Sequence, residues 1–138
     1  MRIMKLNWKA WTVLCGCLLA TLPVSAHHSI ASQYDFQKEV AMTGTLLRVE
    51  WIRPHSVALL EVANEAGKKE TWVFQFAGLD RALSGQLRAA PSRGGLAPGV
   101  TYTLYGFRAL NGQKQAFLKQ LKMPNGQIVV AWFGDPNG

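Results

Sequence analysis

Cysteine, histidine and acidic residues are scarce in this 138-residue chain, which has two cysteines, three histidines and eight aspartates plus glutamates. Both cysteines, Cys15 and Cys17, lie in an apolar stretch near the N-terminus. If that stretch is removed, the rest of the chain contains no cysteine. A disulfide framework is then excluded, and packing alone must stabilise the fold.

The chain also lacks the residue patterns of common catalytic sites. It has no carboxylate pair, no nucleophile elbow and no phosphate-cradling glycine loop, because Gly94-Gly95 has neither a lysine nor a helix start beside it. Ser29 and Ser56 each follow a histidine, but adjacent residues on an extended chain point to opposite sides and cannot pair as nucleophile and base. We therefore expect a protein that is not an enzyme.

Dense clusters of positive charge are absent as well. Three of the fifteen lysines plus arginines precede residue 27, which leaves twelve against eight acidic residues and a net charge of +4 with the histidines neutral. The arginines after residue 26 are scattered: Arg48, Arg53, Arg81, Arg88, Arg93 and Arg108. This spacing is typical of a solvated surface and argues against a nucleic-acid partner.

The one long hydrophobic run lies at the N-terminus. Three basic residues come first, the apolar run Trp11–Leu22 follows, and the segment ends at Val24-Ser25-Ala26. This order is typical of a secretory signal peptide that is cut after Ala26. We expect residues 1–26 to be removed from an exported protein, periplasmic or secreted, that has no membrane span in its mature form.

Two other interpretations of this segment stay open. A single-span anchor is disfavoured because polar residues and a proline interrupt the run, which leaves fewer than the roughly 20 apolar residues that a bilayer crossing needs. The stretch Leu14-Cys15-Gly16-Cys17 loosely resembles a lipid-attachment box.

Beyond residue 42 apolar and polar residues alternate in short runs separated by turn residues, which is the pattern of half-buried strands. Between Gly78 and Ala90 the apolar spacing becomes helical, with Gly85 expected to end or kink the helix. Six strands are predicted: Thr43–Ile52, His55–Ala63, Glu70–Phe76, Val100–Phe107, Gln115–Lys122 and Gln127–Phe133.

The alternation also predicts which large side chains share a face. One set lies on the first strand and one on the third: Leu47, Val49 and Trp51, and Trp72, Phe74 and Phe76. We expect both tryptophans in the core. The alternative is that Trp51, together with Arg53, contributes to a binding surface.

The order of elements predicts a mainly β fold, namely a small Greek-key barrel of the oligonucleotide/oligosaccharide-binding type with one short helix between the third and fourth strands. An open antiparallel sandwich is the alternative. The predicted organisation is a signal peptide at 1–26, an N-terminal segment at 27–42 that begins with two histidines, a barrel domain at 43–133 and a loose tail at 134–138.

Several motifs resemble a known family, the small exported bacterial proteins of the domain of unknown function six-one-five-two. They are spread over the mature chain: His27-His28-Ser29, Gly44-Thr45, Trp51-Ile52-Arg53-Pro54-His55 and Leu96-Ala97-Pro98-Gly99. Two positions depart from the usual pattern, since Arg53 replaces an asparagine and Val100 an acidic residue. The resemblance implies an exported domain without an established activity.

All three histidines lie in two short motifs, His27-His28 and Pro54-His55. Cleavage after Ala26 would place a free α-amine beside the ring of His27, and such a pair can chelate a transition metal. Imidazole nitrogen suits copper, zinc and nickel, and copper is the strongest competitor in the usual affinity order. His27, His28 and His55 are therefore the candidate metal ligands, with copper favoured.

The sequence thus predicts an exported, non-catalytic binding or accessory protein of the cell envelope, with a transition metal or an envelope protein as its partner. The alternative is a metal-independent protein-interaction module of the periplasm that recognises a partner through the barrel face or an exposed strand edge.

Overall fold

The computed structural model describes residues 30–52, 55–76 and 81–134. Single turns of 3-10 helix lie at Ile30–Ser32 and Pro91–Arg93. The other elements are β1 (Tyr34–Glu50), β2 (Val57–Ala63), β3 (Lys69–Gln75), α1 (Arg81–Arg88), β4 (Thr101–Ala109), β5 (Gln115–Lys122) and β6 (Ile128–Val130). The prediction of a mainly β protein with one short helix between the third and fourth strands is confirmed.

The strands form one sheet that closes on itself. Their order is β3-β2-β1-β4-β5-β6, and an additional pairing between β3 and β5 joins the two sides of the sheet into a ring. The β3–β5 pairing is parallel, whereas the other strand pairings are antiparallel. Strand β6 pairs with the end of β5 and extends the sheet beyond the ring.

Strand β1 belongs to both halves of this ring because it changes partner along its length. Tyr34 to Thr45 pair with β4, and Thr45 to Glu50 pair with β2. At the change lies Gly44, where an added Cβ would collide with the carbonyl oxygen of Glu61 on β2. Close approach of two backbones is a common reason for glycine inside a strand.

The structure corrects the prediction for the apolar face of β1. Leu46 is 1% exposed, whereas Leu47 is 40% exposed. The register with β2 shifts between Leu46 and Arg48, so Leu47 is the extra residue of a β-bulge. The bulge reverses the alternation, and it puts Leu46 on the core side together with Val49.

Strand β1 also begins at Tyr34, nine residues before the predicted Thr43. Its register with β4 is irregular between Asp35 and Glu39, and that stretch of β1 is largely exposed. An irregular ladder hides the two-residue period on which the sequence prediction depended.

Helix α1 continues through Gly85 to Arg88, so the prediction that the helix ends at this glycine is wrong. A Cβ at Gly85 would meet no atom within 4 Å, because the residue faces solvent. Leu87 of the same helix is fully buried, and this contact with the core stabilises the helix across the glycine.

The core fills the ring as one large and one small group of buried side chains. The predicted apolar face of β3 is confirmed, since Trp72, Phe74 and Phe76 are all buried. The smaller group consists of Tyr34, Phe107, Ala109 and Phe117, with Ile30, Phe36 and Trp132 packed against it. In the part of the chain that is described, no helix is long and apolar enough to cross a membrane.

Candidate functional site

The connection between β1 and β2 carries His55, the one described histidine among the predicted metal ligands. His55 is exposed and lies two residues before β2 begins at Val57. The hydroxyl of Ser56 donates a hydrogen bond of 3.1 Å to the carbonyl of Ile52. The backbone N–H of Phe76 donates one of 2.7 Å to the carbonyl of Ser56. The connection is therefore tied to the end of β3.

Trp51 opens this connection and is half-buried against the core. Its ring lies 6.1 Å from that of Phe76, and the guanidinium of Arg88 lies over the Trp51 ring at 4.5 Å from the centroid. One face of Trp51 thus already holds a cation from α1, which is a favourable contact for an indole. Arg53, the other residue of the predicted binding surface, lies outside the described residues.

A polar network closes the ring beside this connection. The hydroxyl of Tyr34 donates a hydrogen bond of 2.7 Å to Oε1 of Gln75 and accepts one of 2.8 Å from Nε2 of Gln115. Burial raises the pKa of the Tyr34 hydroxyl above its usual value of 10.0, against a smaller lowering by the hydrogen bond from Gln115. Tyr34 is therefore neutral at ordinary pH and serves as a structural crosslink between β1, β3 and β5.

This network brings the start of β1 close to the start of β2. Gln75, which the Tyr34 hydroxyl contacts, pairs directly with Val57, and His55 is two residues before Val57. Directly paired Cα atoms on antiparallel strands are only about 4.5–5.5 Å apart. The N-terminal end of the described chain and His55 consequently lie on the same side of the ring.

His27 and His28 lie outside the described residues. His28 lies six positions before Tyr34, and an extended chain over that distance reaches at most about 20 Å. Among the described residues, no group of three or more histidines, cysteines, aspartates and glutamates is close enough to hold a metal ion. A metal site with three or more such ligands at His55 would therefore include at least one residue from outside the described ranges.

A groove between α1 and β6 is a feature that the sequence reasoning missed. One part, of about 350 Å³, lies against Leu83 and Gln86 of α1 and against β6. The other part, of about 470 Å³, continues past Gln86 and Gln127 to the loop at 91–95. The sequence signal was the absence of charged residues from 124 to 134, which marks an uncharged strand and its flanks.

The comparisons with known proteins give one match. The sequence model of a family of unknown function, DUF6152, matches residues 16–117, which are well over half of the chain. The chain belongs to this family. The resemblance drawn from the motifs of the sequence is thereby confirmed. For this DUF6152 member, no curated protein and no solved structure gives a match.

Proposed function

We propose that this DUF6152 chain is an exported, non-catalytic binding or accessory protein of the cell envelope. In this proposal it holds a transition metal, with copper favoured, through its processed N-terminus and His55. The observation that supports this most is the hydrogen bond from Tyr34 to Gln75, because it ties the start of β1 to the residue opposite the start of β2.

The chemistry of the proposed site follows from the residues that can meet there. The α-amine and ring of His27 would form a chelate, and His28 or His55 would add a further imidazole nitrogen. Neutral imidazoles and an amine suit copper(II), which favours planar nitrogen ligand sets. His55 is exposed, so it can take up a metal without the cost of opening the core.

We also infer that the ring is a Greek-key barrel of the oligonucleotide/oligosaccharide-binding type. The order β1-β2-β3-β5-β4, the parallel β3–β5 pairing and the helix between β3 and β4 support this inference. Such barrels carry many unrelated sites, so the architecture itself points to no ligand.

Copper(II) titration of protein that begins at His27 tests the metal proposal. We expect tight binding of one equivalent, weakened at least about tenfold by acetylation of the His27 α-amine and also by His55→Ala, since each change removes one nitrogen ligand. Glu65→Ala, in the exposed β2–β3 turn, is the matched control and should bind as the parent does. Weak binding that neither change alters would contradict the proposal.

The second candidate function is a metal-independent protein-interaction module. It is favoured by exposed apolar side chains beside β6, on the side where no other described strand pairs with it: Ile128 is 46% and Phe133 is 85% exposed. Large exposed apolar groups at one place are typical of interaction surfaces. A chelator should leave partner binding by this surface unchanged, whereas it would abolish any binding that depends on copper.

A further inference from the structure

Strand β6 offers free backbone hydrogen-bonding groups. It pairs with β5, and no other described strand lies beside it. One backbone hydrogen bond lies at each end of the β5–β6 ladder. The N–H of Met123 donates to the carbonyl of Gln127 (2.8 Å), and the N–H of Ala131 donates to the carbonyl of Lys119 (2.9 Å). Because such bonds alternate along an antiparallel pair, the backbone groups of Ile128 and Val130 point away from β5.

The exposed edge of β6 lacks the charged side chains that usually prevent an edge strand from pairing with another chain. Natural edge strands are protected by lysines, by inward-pointing charges or by a covering element. Residues 124–134 contain no charged side chain, and Ile128 and Phe133 are exposed there. The edge is therefore suited to pair with an added strand.

The groove beside β6 places a second wall opposite this edge. Leu83 and Gln86 of α1 lie along the part next to β6, and Phe133 lies at its far end. Past Gln127 the groove widens over a floor that includes buried Tyr102 and Met123. An extended segment in this groove would run along β6 and enter the wider part.

The wider part of the groove contains one side chain, Arg93, that is suited to bind an anion. Its lining contains no acidic residue, and its single charged side chain is Arg93. None of the ion pairs among the described residues includes Arg93. A guanidinium that faces a groove and has no carboxylate partner among the described residues can bind a carboxylate through two parallel hydrogen bonds.

The direction of β6 decides which end of a peptide would meet Arg93. Strand β6 runs from Ile128 towards Phe133, and the Arg93 part of the groove adjoins Gln127, just before the strand starts. A strand added antiparallel to β6 runs the opposite way, so its C-terminal end reaches Arg93.

We propose that this groove binds an extended peptide that adds antiparallel to β6 and places its C-terminal carboxylate on Arg93. Apolar side chains of the peptide lie against Leu83, Ile128 and Phe133. Strand addition of this kind draws its affinity from main-chain hydrogen bonds and its specificity from the pockets alongside. The proposal rests on the second candidate function, and it does not depend on a metal.

The test uses a fluorescent peptide of alternating threonine and valine with a free C-terminal carboxylate, and the same peptide with a C-terminal amide. Fluorescence anisotropy should show the carboxylate form binding at least about tenfold more tightly. Arg93→Gln should remove that difference without changing the affinity for the amide. Arg48→Gln, at an exposed arginine that pairs with Glu50 on β1, is the matched control and should preserve the difference.

Amide hydrogen exchange on the peptide complex provides the second readout. We expect the N–H groups of Ile128 and Val130 to become protected, and that of Val129, which faces β5, to change little. Equal affinity for both peptides with protected Ile128 and Val130 would overturn the carboxylate assignment but keep strand addition. Absence of both binding and protection would overturn the proposal together with the strand-edge function. Self-association that buries these two N–H groups and excludes the peptide would identify a second copy as the occupant and would also overturn it.

Discussion

Replacement of Gly44 by alanine tests the closure of the ring at its tightest point. An added Cβ would collide with the carbonyl oxygen of Glu61 and would come within 3.0 Å of Cγ2 of Val62. The carbonyl belongs to the β1–β2 ladder and cannot turn aside, so the two strands must separate. Forced overpacking of this kind costs about 1–3 kcal/mol of unfolding free energy.

Gly85→Ala is the matched control because it adds the same methyl group where nothing lies within 4 Å. It removes a glycine from the middle of α1, which should stabilise the protein by about 0.5–1 kcal/mol. The two substitutions should therefore shift stability in opposite directions.

Denaturant and thermal unfolding, both monitored by tryptophan fluorescence, measure the stability of the two variants. For a domain of this size, a loss of about 2 kcal/mol lowers Tm by roughly 10 °C, since each kcal/mol corresponds to about 4–8 °C. Gly44→Ala with the stability of the parent, or above it, would refute the close approach of β1 and β2. Loss of stability in Gly85→Ala would refute the solvent-facing position of that glycine.

Two further substitutions test the polar contacts that fasten the ring. Tyr34→Phe removes the hydrogen bonds to Gln75 and Gln115 and should cost about 1–2 kcal/mol of unfolding free energy. The pKa of Tyr34 is raised in the folded state, so its contribution to stability is complete below pH 10, the usual value, and falls as pH rises beyond it. In chemical unfolding curves above pH 10, the phenylalanine variant should therefore lose less stability than the parent. Identical pH profiles of stability for the two proteins would contradict the assignment. A hydrogen bond from Lys114, and a second with a smaller effect from Asn64, hold the pKa of the Glu70 carboxyl below its usual value of 4.5. Lys114→Gln should therefore raise the pKa of Glu70, as measured by NMR titration of its carboxyl. In the parent, the contribution of Glu70 to stability should vanish as pH falls through its folded-state pKa. Lys122→Gln, at an exposed lysine outside this contact, should leave the Glu70 titration unchanged.

The number and order of elements could be predicted because most of them depend on local pattern. Trp72, Phe74 and Phe76 alternate cleanly on β3, and Asn64 to Lys68 form the turn before it. The side chain of Asn64 accepts hydrogen bonds from the N–H groups of Ala66 and Lys68, which fixes that turn locally. A pattern that short-range contacts maintain can be read from the sequence.

The features that escaped prediction depend on contacts between distant residues. The bulge at Leu47 is set by the register with β2, and the start of β1 pairs with β4 in a register that is irregular between Asp35 and Glu39. Neither produces a regular period. The parallel β3–β5 pairing joins residues about forty positions apart, and the local sequence pattern of neither strand predicts it.

The candidate site likewise has one part that could be predicted from the sequence and another that depends on long-range contacts. The motifs around His27, His28 and His55 could be recognised as a set because histidine is rare in this chain. What the sequence could not give is the hydrogen bond that spans 41 residues from Tyr34 to Gln75 and ties the start of β1 near His55. The groove beside β6 depends on the position of α1 opposite β6, residues about forty positions apart in the chain.

Paramagnetic broadening of NMR signals by copper(II) tests whether copper binds where the processed N-terminus meets His55. One equivalent of copper(II) added to protein that begins at His27 should broaden the amide signals of Ser56, Val57 and Phe76. It should spare the turn from Glu65 to Lys68, which lies at the far end of β2, about 20–25 Å away along the strand. Broadening that misses Ser56 and Val57, or that persists there in His55→Ala, would contradict a copper site that includes His55.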